Sequence, residues 1–153
     1  MPGDRDAERS PGVEIIPYDQ MAALCAFYVS PIGAWFSHLR SFTDRPIYQI
    51  GQPPPVFGDA HIRANADPIF QEQIERYGIA PHPLRAKVWR ICIEATAQLC
   101  AKHGVRLIVP PPETLGPEGC LSPGYRGRDA VDPNPAYGDL LLDRMIEIAG
   151  EFS

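Results

Sequence analysis

Two short runs of β-forming residues, each stopped by three consecutive prolines, bracket the strongest helical pattern in the chain. The first run is Pro46-Ile47-Tyr48-Gln49-Ile50-Gly51, halted by Gln52-Pro53-Pro54-Pro55; the second is Val105-Arg106-Leu107-Ile108-Val109, halted by Pro110-Pro111-Pro112. Proline has no N–H to give a sheet ladder, so each strand must end where its prolines begin. Between them, Leu84, Val88, Ile91, Ala95 and Leu99 recur at helical spacing within the segment Leu84 to His103, and Trp89, Cys92 and Ala101 widen that stripe. Gly104 is a good helix terminator. A strand, a helical crossover and a second strand make a right-handed βαβ unit, so the strands are expected to be parallel with helices against the sheet. The fold class is α/β, with the second strand expected to be buried.

The flanking segments extend this plan. Met21, Leu24, Cys25, Tyr28, Ile32, Trp35, Phe36 and Leu39 mark an amphipathic helix over Gln20 to Phe42, with Asp19 as its cap and Pro31 expected to kink or split it. Trp35 and Trp89 are expected to pack in the core. Val56 to Ala66 reads as irregular chain. Asp67-Pro68 has the chemistry of a helix start and Gly78 that of its end. A loop rich in glycine and proline runs to about Val131, and Pro133 to Gly138 opens a last helix carrying Leu140, Leu141, Met145, Ile146 and Ile148. Residues 1–14 are polar, of mixed charge, and read as a flexible tail; 15–153 read as a single domain. Two strands make a small sheet, because most sheets hold about four to six. The unit looks like part of something larger.

Composition removes several function classes. The formal net charge is -5, and the densest basic group, Arg85, Lys87 and Arg90, sits among acidic and apolar neighbours, so a nucleic-acid partner is not expected. No uninterrupted apolar run reaches the ~18 residues of a membrane span, and Met1 to Gly12 lack the basic start and apolar core of a signal peptide. The 18 prolines are interleaved with apolar segments and punctuate packed elements. Cys25, Cys92, Cys100 and Cys120 form no CxxC pair, and Cys92 and Cys100, two helical turns apart, cannot bridge each other. They read as buried free thiols, which suits the cytoplasm. Asp59-Ala60-His61 reads as a solvent-exposed pair that holds no metal, and Glu113, Glu118, Asp129 and Asp132 as a charged surface loop, so neither metal nor cofactor is expected. Ser30 and Ser122 precede prolines and lack a nucleophile elbow, so they read as turn or capping residues.

The segment Asp129-Ala130-Val131-Asp132-Pro133-Asn134-Pro135-Ala136-Tyr137-Gly138 resembles the last sequence block of the SGNH (GDSL-type) hydrolases, an Asp-x-x-His followed by Asn and Tyr-Gly at the mouth of the final helix. The order around it is similar too: a strand running into Pro53-Pro54-Pro55, a helix carrying Leu84, Arg85, Lys87 and Trp89, then Gly104-Val105 and a strand ending in prolines. The likeness covers about Ile15 to Ile148 and is to that family's C-terminal half. It implies part of a three-layer, flavodoxin-like fold, and hydrolysis or transfer of an acyl ester by a Ser-His-Asp mechanism. Asp129 then stands at the triad-acid position and Asp132 at the position of the family's histidine. Gln52, Gly116, Gly119 and Gly124 are expected to line a cleft at the strand ends, with Asn134 donating a hydrogen bond there.

Two departures matter. No Gly-Asp-Ser occurs: Gly3-Asp4, Gly58-Asp59 and Gly138-Asp139 are followed by Arg5, Ala60 and Leu140. A carboxylate, with a pKa near ~4, is a poor base for serine compared with imidazole, and no histidine follows His103. The expectation is an esterase-like protein that is inactive alone, its ligand a small acyl ester. The alternative is a non-catalytic binding or assembly domain whose free sheet edge and apolar helix face take a partner chain or a second copy.

Overall fold

A computed structural model describes residues 15–150; the segment 1–14 read as a tail lies outside them. Helix α1 (Tyr18–Arg40) leads to strand β1 (Tyr48–Ile50), helices α2 (Asp59–Asn65), α3 (Pro68–Tyr77) and α4 (His82–Lys102), strand β2 (Arg106–Ile108), three short 3-10 turns, and helix α5 (Pro135–Gly150). β1 and β2 pair in parallel, with Tyr48 opposite Arg106, Gln49 opposite Leu107 and Ile50 opposite Ile108. The expected βαβ unit is present, and the protein is of mixed helix and strand. Gly51 continues the ladder through its N–H to the Ile108 carbonyl at 2.8 Å. A Cβ there would press on that oxygen, on Ile93 Cδ1 and on Pro110 Cδ at 3.2–3.3 Å, so a glycine lets the chain leave the sheet at that point.

The main core lies between α1, α4 and the sheet. Cys25 and Val29 of α1 meet Ile91 and Ala95 of α4; further along, Ile32 and Phe36 meet Leu99, Cys100, Val105, Ile47 and Leu107. A second core gathers Val56, Leu121 and Tyr137 with Ile62, Tyr125 and Leu141, joining α5 to the loops beyond the strands.

Several local expectations need correction. Pro31 does not split α1, which runs unbroken from Tyr18 to Arg40. The carbonyl that proline leaves without its helical N–H belongs to Phe27, and the Ser30 hydroxyl donates to it at 2.8 Å. Val56 to Ala66 is not irregular throughout, because α2 forms within it after Gly58 takes φ 101°. The α4 stripe rotates along the helix: Ile91, Ala95 and Cys100 are buried, whereas Leu84 is exposed and Ala86 takes its place inside. Of the second strand's run, Val105 and Ile108 are buried while Arg106 and Val109 are exposed. Trp35 is 68% exposed and not a core residue.

The outer face of α1 is apolar as well as its inner one. Residues 20–37 include no charged side chain, and Leu24, Phe27 and Trp35 are exposed to solvent. By length and composition α1 could cross a membrane, a property that the interruptions at Gln20, Ser30 and Ser37 hide from a search for one unbroken apolar run. Core helices of larger assemblies share that all-round apolarity.

Candidate functional site

In open parallel sheets, binding residues gather on loops beyond the carboxyl ends of the strands. Here the loop after β1 and the long segment after β2 are knitted together. Leu121 N–H donates to the Pro55 carbonyl at 2.8 Å, Val56 and Leu121 form a parallel bridge, and Arg126 Nη1 reaches the Phe57 carbonyl at 3.0 Å. Fastened in this way, the two loops wall a cavity of about 940 Å³ with Gln52 to Val56 on one side and Ala130 to Asp132 on another. Phe70, Ile74 and Tyr77 of α3 close a third side, and Tyr28 and Arg85 complete the wall.

The Asp129–Asp132 turn is built by one carboxylate. Asp129 Oδ1 accepts the Asp132 N–H at 2.6 Å and the Val131 N–H at 2.9 Å, so the side chain organises the three residues that follow it. Those two N–H bonds, the Asp132 one first, hold the Asp129 carboxyl below the usual carboxylate range. Asp132 shifts the other way: repulsion from the Asp129 carboxylate, then a side-chain hydrogen bond between the two, raises it. The two carboxyls are therefore pushed in opposite directions, and Asp129 gives up its proton before Asp132 does.

The signs for stability oppose each other. Asp129, depressed in the fold, contributes stability above the ordinary carboxylate range, and this is lost as pH falls through its lowered value. Asp132, raised in the fold, favours folding at acid pH, and this is lost as pH rises through its raised value. The turn is best held between the two. In Asp129→Asn the amide oxygen can still accept both N–H groups but the charge is gone, so the Asp132 midpoint is expected to drop toward the ordinary carboxylate range. A carboxyl carbon-13 titration checks this, and an unmoved Asp132 midpoint would show that the two groups do not interact.

Gln52 and Asp132 of the expected site residues line the cavity; Asp129 stands behind the wall as the organiser of its turn. Asn134 is elsewhere. Its Nδ2 donates to the Gly124 carbonyl at 2.8 Å and its Oδ1 accepts the Tyr137 N–H at 3.2 Å, so it ties down the start of α5 instead of offering a donor to a ligand. Gly116, Gly119 and Gly124 do not line the cavity either. Gln52 is fixed through its backbone, whose carbonyl accepts the Trp89 indole N–H at 3.0 Å.

Three residues were not foreseen. His61, expected in solvent, is half-buried, and its Nε2 lies 2.8 Å from the Asp129 carbonyl oxygen. A carbonyl only accepts, so Nε2 carries the proton, while Nδ1 faces Asn65 Nδ2 at 3.4 Å. With both nitrogens facing partners, His61 braces the turn. Arg85 reaches Asp59 at 3.3 Å through Nη2, while its buried Nε and Nη1 have no hydrogen-bond partner among the described residues. Glu118 adopts φ 67° and pairs with His82. Among the described residues no group of three or more potential ligands gathers for a metal ion.

Compared with protein-family models, curated proteins and solved structures, the chain matches none.

Proposed function

We propose that this chain is an SGNH-hydrolase-like domain corresponding to the C-terminal portion of that fold, and that it binds a small acyl ester in the cavity between its strand-end loops without hydrolysing it alone. The observation that carries this reading is the convergence of Gln52–Val56 and Ala130–Asp132 on one cavity, with Asp129 ordering the second loop through two backbone N–H bonds. An apolar wall with a few polar groups, here Gln52, Asp132 and Arg85, is the usual make-up of a small-molecule site. In this reading the helices α1 and α4 and the sheet of β1 and β2 are two of the three layers of a flavodoxin-like fold. Asp132 takes the place of a base, and its carboxyl cannot take a serine proton and return it near neutral pH as an imidazole does. The four free thiols suit a reducing compartment such as the cytoplasm.

The purified chain is expected to release p-nitrophenol from p-nitrophenyl acetate no faster than buffer, and a fluorophosphonate probe is expected to label none of its serines. Turnover together with labelling of one serine would overturn the reading.

A second reading rests on a specific observation, the exposed apolar face of α1, with Leu24, Phe27 and Trp35 in solvent, beside a sheet that holds two strands among the described residues. In it the chain is an assembly domain, covered by a partner chain or a second copy. Sedimentation separates the two, since a monomer at high concentration argues against self-assembly.

A further inference from the structure

Cys25 on α1 and Cys92 on α4 lie 67 positions apart in sequence, yet Cys92 Sγ donates to Cys25 Sγ across the helix pair at 2.8 Å. We propose that these two residues are a site of intramolecular disulfide formation, which on exposure to a thiol-oxidising small disulfide fastens α1 covalently to α4.

The geometry favours the bond on several counts. A covalent S–S separation is about 2.05 Å, so the sulfurs need to close by less than ~1 Å, within the reach of small side-chain rotations. Their backbones belong to two long helices held face to face by Val29, Ile91 and Ala95, so the pair is pre-positioned by packing and not by a mobile loop. The other two thiols lie in different surroundings: Cys100 packs with Phe36 and Val105, and Cys120 Sγ faces the His82 carbonyl.

The exchange balances with glutathione disulfide as oxidant. Cys92 is half-buried while Cys25 is 3% exposed, so Cys92 is the point of entry. Its thiolate attacks one sulfur of the small disulfide, forming a mixed disulfide and releasing one glutathione thiolate. Cys25, as thiolate, then attacks the Cys92 sulfur and releases the second glutathione. Two protein S–H bonds are lost and one S–S bond forms; two electrons and two protons end on two glutathione thiols. Burial, with the neighbouring Cys25, pushes the Cys92 thiol up to about 12, which makes the first attack slow without altering its product.

The bond would close a long loop and remove freedom from the unfolded chain, so the oxidised protein is expected to melt several degrees higher than the reduced one. The test incubates the native chain with glutathione disulfide until its thiol count is constant, then traps remaining thiols with N-ethylmaleimide in denaturant. Digestion uses trypsin with a glutamyl endopeptidase, which cuts at Glu94 between Cys92 and Cys100. The expected product is a Cys25–Cys92 linked peptide two hydrogens lighter than the separate peptides, with Cys100 and Cys120 carrying maleimide. The accompanying rise in melting temperature should vanish with dithiothreitol and be retained in Cys100→Ala/Cys120→Ala. Four trapped thiols, a glutathione left on Cys92, or a link through Cys100, Cys120 or a second chain would each overturn the proposal.

Discussion

Leu121→Ala is expected to lower the free energy of unfolding by about 2–5 kcal/mol. Leu121 is fully buried, and its side chain joins Val56 and Tyr137 at the centre of the second core. The loss combines the transfer free energy of the deleted methyl groups with the cavity they leave, and this site has little room to collapse. Its neighbours are pinned by the Leu121 N–H to Pro55 bond and by bridges from Leu121 to Val56 and Leu115. A domain of ordinary stability holds only about 5–15 kcal/mol, so the change is a large fraction of the total. Urea denaturation checks it, through a lowered midpoint at unchanged slope. Leu24→Ala on the exposed outer face of α1 is the control, expected within about 0.5 kcal/mol of the parent if that face is free.

The second large effect is expected from Gly127→Ala. A Cβ at this position would stand 2.6 Å from the Asp132 carbonyl oxygen and 3.2 Å from its carbon. Those are backbone atoms and cannot swing aside as a side chain could. The same oxygen accepts the Gly127 N–H at 2.8 Å, and next to it Arg126 and Pro133 form an antiparallel bridge. The added methyl must therefore force the two sides of the 127–132 loop apart, at a cost of about 1–3 kcal/mol. The site should register it directly, because the Val131 and Asp132 amides lose their fixed relation to Asp129. Faster hydrogen exchange at those two amides is the expected signature; unchanged exchange would mean that the turn is held by something else.

The βαβ unit was legible because its signals are local: proline stops on two β-forming runs, and an apolar period of helical length between them. The Asp67 cap of α3 was equally legible, and its side chain accepts the Ile69 N–H at 2.9 Å. What escaped depends on tertiary placement or on one side chain compensating for another. At Pro31 in α1 the Ser30 hydroxyl satisfies the Phe27 carbonyl, a compensation that no proline rule announces. The exposure of Trp35 depends on which of two apolar faces α4 covers. His61 meets Asp129 across 68 positions and Cys92 meets Cys25 across 67, and no spacing rule links either pair. For the candidate site, Gln52 was legible from its place just beyond the first strand, and Asp132 only through the resemblance of its sequence block to the SGNH hydrolases. Asn134, from the same sequence block as Asp132, is occupied with the start of α5.

The central claim is that the cavity bounded by the two strand-end loops is a binding site for an acyl ester. It is tested most directly by titrating nitrogen-15-labelled protein with methyl decanoate and following every amide and indole signal. The account predicts saturable shifts at Gln52, Val56, Ile74, Val131 and Asp132, and at the Trp89 indole N–H that rests on the Gln52 carbonyl, with Leu24 and Trp35 unmoved. Shifts confined to the outer face of α1, or no shifts up to the solubility limit of the ester, would contradict it.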